Sequence, residues 1–184
     1  MATPSQTIGP FFHLCLTLDE TAGGIAGPGA EGERVTLICR VFDGEGAAVD
    51  DALIELWQAD ANGVYEHPDD PRYQDRDPAF RGFGRMATDE KGACVFETLK
   101  PGRVEGSHSA PHIDIAVFAR GLLKQVLTRA YFFQDPANAE DPVLALAPAE
   151  RRDTLFARQD PAHPSTWRFD IHLCGERETV FFEI

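Results

Sequence analysis

Nowhere in the 184 residues do about 18 apolar residues follow one another, so the sequence offers no membrane-spanning helix. Its first ten residues, Met-Ala-Thr-Pro-Ser-Gln-Thr-Ile-Gly-Pro, lack the basic start and apolar stretch of a secretory signal. Cysteine occurs four times, at Cys15, Cys39, Cys94 and Cys174, and never as a C-x-x-C pair. Two bridges are arithmetically open to them, but without an export signal they read as reduced thiols serving as small apolar fillers. The expected compartment is the cytoplasm. Positive charge is scarce too: 17 Lys and Arg against 30 Asp and Glu leave a formal charge of −13. Nucleic acid and anionic membranes would repel such a chain, and an anionic small substrate would need a local cation. Also missing are G-x-S-x-G, a P-loop, G-x-G-x-x-G and any zinc-ligand spacing, together with any βαβ rhythm or internal repeat.

What is present reads mainly as strand. Hydrophobic residues make up 43% of the chain, enough for a real core at this length. Residues 35–42 are β-branched and apolar and run into the turn Asp43-Gly44-Glu45-Gly46. Residues 52–59 form a second buried run, closed by Asp60-Ala61-Asn62-Gly63. Further strands are expected at 93–99, 110–118, 126–133 and 178–184. Trp167, Phe169 and Ile171 alternate strictly with Arg168, Asp170 and His172, the clearest strand pattern of all. The one expected helix is 149–158, short and amphipathic through Leu155 and Phe156. Residues 64–84 read as a long ordered loop of the kind that carries function. The fold class is therefore all-β, a sandwich of about eight mainly antiparallel strands with long loops and one short helix. It occupies residues 34–184, preceded by an arm and a mobile Gly-rich loop in 1–33.

Residues 110–118, Ala-Pro-His-Ile-Asp-Ile-Ala-Val-Phe, place His112 and Asp114 on one strand face and Ile113, Ile115 and Val117 on the other. Two polar donors side by side on an apolar strand are either metal ligands or a self-satisfied His–Asp pair. Tyr73 is either packing or a ligand. Arg129 alternates with Leu127 and Tyr131 against Thr128 and Ala130, so it points toward a mostly apolar side. A buried guanidinium there needs an internal carboxylate or the anion of a ligand. The arm carries Ile8, Phe11 and Phe12, which is too apolar to leave in water, and is expected to dock on something.

Several longer stretches then converge. Thr3-Pro4-Ser5-Gln6-Thr7-Ile8-Gly9-Pro10-Phe11, Leu56-Trp57-Gln58-Ala59-Asp60-Ala61-Asn62-Gly63, Phe83-Gly84-Arg85, Lys100-Pro101-Gly102, Ala110-Pro111-His112-Ile113 and Gly175-Glu176-Arg177-Glu178-Thr179-Val180-Phe181-Phe182 resemble the intradiol ring-cleaving dioxygenases, in order and nearly end to end. The resemblance implies a non-haem Fe(III) enzyme that opens a catechol ring between its hydroxyls with O2. Two tyrosinates and two histidines hold the iron, hard anionic oxygens that suit Fe(III). More narrowly it points to the alpha subunit of the branch that turns protocatechuate into 3-carboxy-cis,cis-muconate in aromatic catabolism. There a homologous beta subunit carries the Fe(III), within a higher alpha–beta oligomer.

Laid on this sequence, Tyr73 matches the first tyrosine and His112 the first histidine. Val104 stands at the second tyrosine, Asp114 at the second histidine, and Ser109 where an arginine precedes the histidine pair. The resemblance thus implies no metal in this chain, with Tyr73, Val104, His112 and Asp114 as vestigial ligand positions. It implies instead that Thr7, Gly9, Pro10 and Phe11 line the substrate pocket and that Arg129 faces the substrate carboxylate. Phe11 replaces a common tyrosine, keeping the ring without the hydroxyl. Two alternatives stay open. One is a self-sufficient intradiol catechol dioxygenase using Tyr73, His112, Asp114 and a water or an unrecognised ligand. The other is a non-catalytic binding module on an inherited sandwich.

Overall fold

The structure, a computed structural model, describes residues 3–9, 15–19 and 21–183. In chain order its strands are β1 (Arg34–Phe42), β2 (Leu53–Trp57), β3 (Phe83–Ala87), β4 (Ala93–Leu99), β5 (His112–Phe118), β6 (Val126–Phe132), β7 (Phe156–Asp160) and β8 (His163–His172). A single turn and a half of α-helix, α1 (Pro142–Leu146), lies between β6 and β7. β1 shows the rule of construction. Val35, Leu37, Cys39 and Val41 are buried and the residues between them are not, because successive side chains leave a strand on opposite faces.

β3-β2-β5-β6 form an antiparallel half, and β7-β8-β1-β4 form the other. β1 and β8 run parallel within the second half. The halves join through a short parallel pairing of Tyr131 with Phe156 and Phe132 with Ala157, which makes one eight-stranded order. Leu37, Val41, Phe96, Phe169 and Ile171 from one half share a core with Ile54, Leu56, Ile113, Ile115, Val117 and Phe132 from the other. Each such side chain contributes about 1.5–3 kcal/mol by leaving water. The expected mainly antiparallel sandwich is what forms. A smaller cluster of Ala110, Tyr131, Leu144, Leu155 and Val180 packs beneath α1.

Some local expectations are corrected. Residues 149–158, read as a helix, are a 3₁₀ segment over Ala149–Leu155 followed by β7. Leu155 sinks into the smaller cluster and Phe156 pairs with Tyr131, so the chain straightens to extend the sheet. A short helix does form nearby as α1, where Asp141 accepts from the Leu144 amide as N-cap and Pro142 opens the first turn. Residues 178–183 are not a strand; they make one bridge, Leu127 to Phe182, and Ile184 lies outside the described residues.

The Gly-rich stretch 21–33 is tied down rather than loose. Gly24 bridges Glu97, Ala26 bridges Phe80, and Ile25 is in the main core. The 64–84 loop ends in β3, an unforeseen strand. A Cβ at Gly84 would lie 2.8 Å from Ile25 Cγ2, so the glycine lets residues 22–26 lie across that strand. Cys39 and Cys94 face each other in the β1–β4 ladder as buried fillers, whereas Cys15 and Cys174 are exposed. No helix among the described residues is long and apolar enough to cross a membrane.

Candidate functional site

β2, β5 and β6 lie side by side, and their register sets Trp57 beside Asp114 and Asp114 beside Arg129. The core-facing residues of this part of β6 are Thr128, Ala130 and Phe132, so Arg129 sits on the face away from the main core. That corrects the inward reading, although the guanidinium side chain is still only 19% exposed. It lies in the wall of a cleft of about 360 Å³ shared with Trp57, Phe83, Leu127 and Asp114.

His112, Asp114 and Arg129 form one polar row. Arg129 Nε donates to Asp114 Oδ1 at 2.8 Å, and Asp114 Oδ2 lies 3.6 Å from His112 Nε2. His112 Nδ1 lies 2.7 Å from the Ala110 carbonyl, which only accepts, so Nδ1 carries the proton. His112 Nε2 and Arg129 Nη1 are both buried without a hydrogen-bond partner among the described residues. Burial pushes the Asp114 carboxyl up, but His112 and Arg129 outweigh it and hold it below the usual carboxylate range. Burial likewise works against the Arg129 charge, and Asp114 and Tyr131 overcome it, so its pKa is raised. The strand pair makes a His–Asp contact, and Asp114 takes one of the Arg129 donors.

Tyr73 and Val104, the other two positions matched to ligands, do not line the Arg129 cleft. Tyr73 opens a 3₁₀ turn, Tyr73–Asp75, with the Arg76 guanidinium 4.0 Å over its ring. Val104 lines a second cleft, of about 500 Å³, beside Trp57, Tyr65, His67 and Arg72. Trp57 stacks on Tyr65 at 5.9 Å, and burial with the nearby Asp114 charge pushes the Tyr65 phenol up to about 12. Among the described residues no three His, Cys, Asp or Glu gather as a metal cluster. The donor set does not fit a four-ligand ferric centre: Val104 has no donor atom and Asp114 is committed to a guanidinium.

The arm is found at the other end of the β5–β6 hairpin. Thr7 Oγ1 accepts from the Gly121 amide at 2.8 Å, while Gly9 is exposed. Asp114 and Val117 are three residues apart on β5, so this contact lies more than about 10 Å from Arg129. Thr7 and Arg129 are thus not in contact with each other within one protomer. Pro10 and Phe11 fall outside the described residues.

Sequence reasoning missed the residues that hold the long loop. Asp60 is buried, and its carboxylate accepts from the amides of Asn62, Val64 and Asp77, each at 2.9 Å. Gln58 Oε1 accepts from Thr98, and its amide donates to the Leu99 and Ala59 carbonyls. A Cβ on Gly63, at φ +74°, would lie 2.0 Å from the Arg103 carbonyl, so only glycine closes this turn against the Lys100-Pro101-Gly102 segment. The signal was in plain view as polar residues placed directly after an apolar strand.

A sequence profile for the Dioxygenase family matches residues 9–175. The protocatechuate 3,4-dioxygenase alpha chain of Burkholderia cepacia is 43% identical over 195 residues, spanning 99% of this chain and 97% of that one. The beta chain of the same name from Burkholderia cepacia is 34% identical over 185 residues, covering 95% and 77%. In fold, the chain is similar to the dioxygenase domain of a dioxygenase–carbohydrate-binding protein fusion from Streptomyces sp. SirexAA-E. The TM-score is 0.65 at 24% identity, over 94% of this chain and 98% of that one. With a family profile covering most of its length and a full-length relative at 43% identity, the chain belongs to the dioxygenase family, in its intradiol ring-cleaving group.

Proposed function

We propose that this chain is the alpha subunit of a cytoplasmic protocatechuate 3,4-dioxygenase. A homologous beta subunit holds the Fe(III), and intradiol cleavage of protocatechuate with O2 gives 3-carboxy-cis,cis-muconate. This chain lends the rim of the substrate pocket rather than the metal: Arg129 for the substrate carboxylate, and Thr7, Gly9, Pro10 and Phe11 of the arm for its walls. The full-length match to an alpha chain supports the assignment, and the poor fit of Val104 and Asp114 to ferric iron supports placing the metal in the partner.

One observation carries the reading. In a chain of net charge −13, Arg129 is a mostly buried cation in a cleft wall, with Nη1 lacking an acceptor among the described residues. A ring carboxylate supplies that acceptor, and charge-assisted bonds of this kind are worth about 1.5–3 kcal/mol. The test is Arg129→Leu in the assembled alpha–beta enzyme. KM for protocatechuate should rise roughly ten- to a hundredfold, at about 1.4 kcal/mol per factor of ten, while catechol, which has no carboxylate, stays nearly unchanged. The Asp114 ion pair favours a second reading, in which Arg129 is only a structural partner. Equal losses for both substrates with a lowered melting temperature would establish that one instead.

A further inference from the structure

Resting on that reading of Arg129, we propose that Asp114 and His112 are positioning residues that aim the guanidinium at the substrate carboxylate. Other arginines of this protein are held along a whole edge. Arg40 gives both Nε and Nη2 to Asp170, at 2.7 and 2.6 Å. Arg85 gives both to Glu55, and Arg168 gives both to Asp160. In each, the carboxylate takes up one edge of the guanidinium plane, through two oxygens at Asp170 and through one at Glu55 and Asp160. Arg129, like Arg120 with Asp51, is held through Nε alone. Asp114 accepts from it at 2.8 Å.

The second carboxylate oxygen faces the histidine, with Asp114 Oδ2 3.6 Å from His112 Nε2. His112 is in turn fixed by its Nδ1–H bond to the Ala110 carbonyl and by the Tyr131 ring at 5.7 Å. Asp114 and Arg129 are direct cross-strand neighbours, so a single bond to Nε sets the direction of a long side chain that would otherwise lose much rotamer freedom on binding. A bond to Nε leaves the opposite edge, Nη1 with Nη2, available for two parallel bonds to a second carboxylate. Nη1 lacks an acceptor among the described residues. Asp114, which stands at a lost ligand position, thus acts on the substrate through Arg129 rather than on a metal.

The experiment compares Asp114→Leu, Asp114→Asn and Arg129→Leu in the assembled alpha–beta enzyme. KM and kcat are read for protocatechuate and catechol, and binding of 4-hydroxybenzoate, which keeps the carboxylate, is titrated separately. Asp114→Leu should raise protocatechuate KM and weaken 4-hydroxybenzoate binding by about tenfold, with catechol moving less than about twofold. Asp114→Asn keeps an oxygen for Nε and should recover most of the loss. If Arg129→Leu discriminates between the two substrates but Asp114→Leu does not, the positioning role is overturned and the function stands. If Arg129→Leu itself shows no discrimination, both are overturned. Equal losses for both substrates in Asp114→Leu, unrepaired by Asp114→Asn, would reduce Asp114 to a structural ion pair.

Discussion

Asp141 is 1% exposed, yet it carries a carboxylate, and its surroundings account for it. Oδ1 accepts from the Leu144 amide at 2.7 Å and the Tyr131 hydroxyl at 3.1 Å, and Oδ2 accepts from the Ala110 amide at 2.7 Å. One side chain thereby caps α1, ties β6 and fixes the entry to β5 just before His112. Asp141→Ala would leave three buried donors without acceptors, each costing about 1–3 kcal/mol. We expect a total loss of about 3–5 kcal/mol after relaxation, read by urea unfolding, with turnover falling only as the folded fraction falls. A loss under about 1 kcal/mol would mean that water replaces the carboxylate. At this scale the sequence was uneven. The period-2 pattern put His112 with Asp114 on one face and Ile113, Ile115 and Val117 on the other, as found. Asp60 and Gln58 stood in view directly after an apolar strand and Asp141 directly before a proline, but their long-range partners, up to 41 residues away along the chain, were not legible.

Among elements, what was legible followed burial. β1, β2, β4, β5, β6 and the end of β8 each bury one clear apolar face, and each was visible as alternation or as an apolar run. β7 has one fully buried residue, Ala157, and β3 depends on a glycine that no strand propensity favours, so both were missed. The loop between β2 and β3 has its own test. Asp70 accepts from the Tyr65 amide at 2.9 Å and the Arg72 amide at 2.7 Å, and the Tyr65 bond above all holds its carboxyl below the ordinary value of 3.8. A lowered carboxyl pKa stabilises the fold fully above the unfolded value, and that contribution is lost as pH falls through the folded one. The loop should therefore hold Tyr65 against Trp57 at neutral pH and release it below about pH 4. Trp57 fluorescence in a Trp167→Phe background reports this. Asp70→Asn should show the released signal already at pH 7, and a flat profile shared by both proteins would sink the idea.

For the molecule as a whole, the question is what the arm does. Among the described residues of the arm, 3–9, only Ile8 is half-buried, and Thr7 accepts a hydrogen bond from the Gly121 amide. That one exposed bond contributes about 0.5–1.5 kcal/mol to folding. The main core is complete without these residues. Deleting residues 1–10 should therefore leave the melting temperature of the isolated chain within about 2 °C of the intact protein, well inside the shift that one buried group produces. In the assembled enzyme the same deletion should weaken association with the beta subunit or raise KM for protocatechuate severalfold, because the arm is proposed as part of the pocket wall. Sedimentation and steady-state kinetics on the same samples separate the two effects. If the truncated chain melts early, the arm is a structural strap on its own sandwich. If truncation leaves melting, assembly, kcat and KM all unchanged, the pocket wall must be built from other residues, and the share of the site assigned to this subunit contracts to Arg129 and the strand pair that holds it.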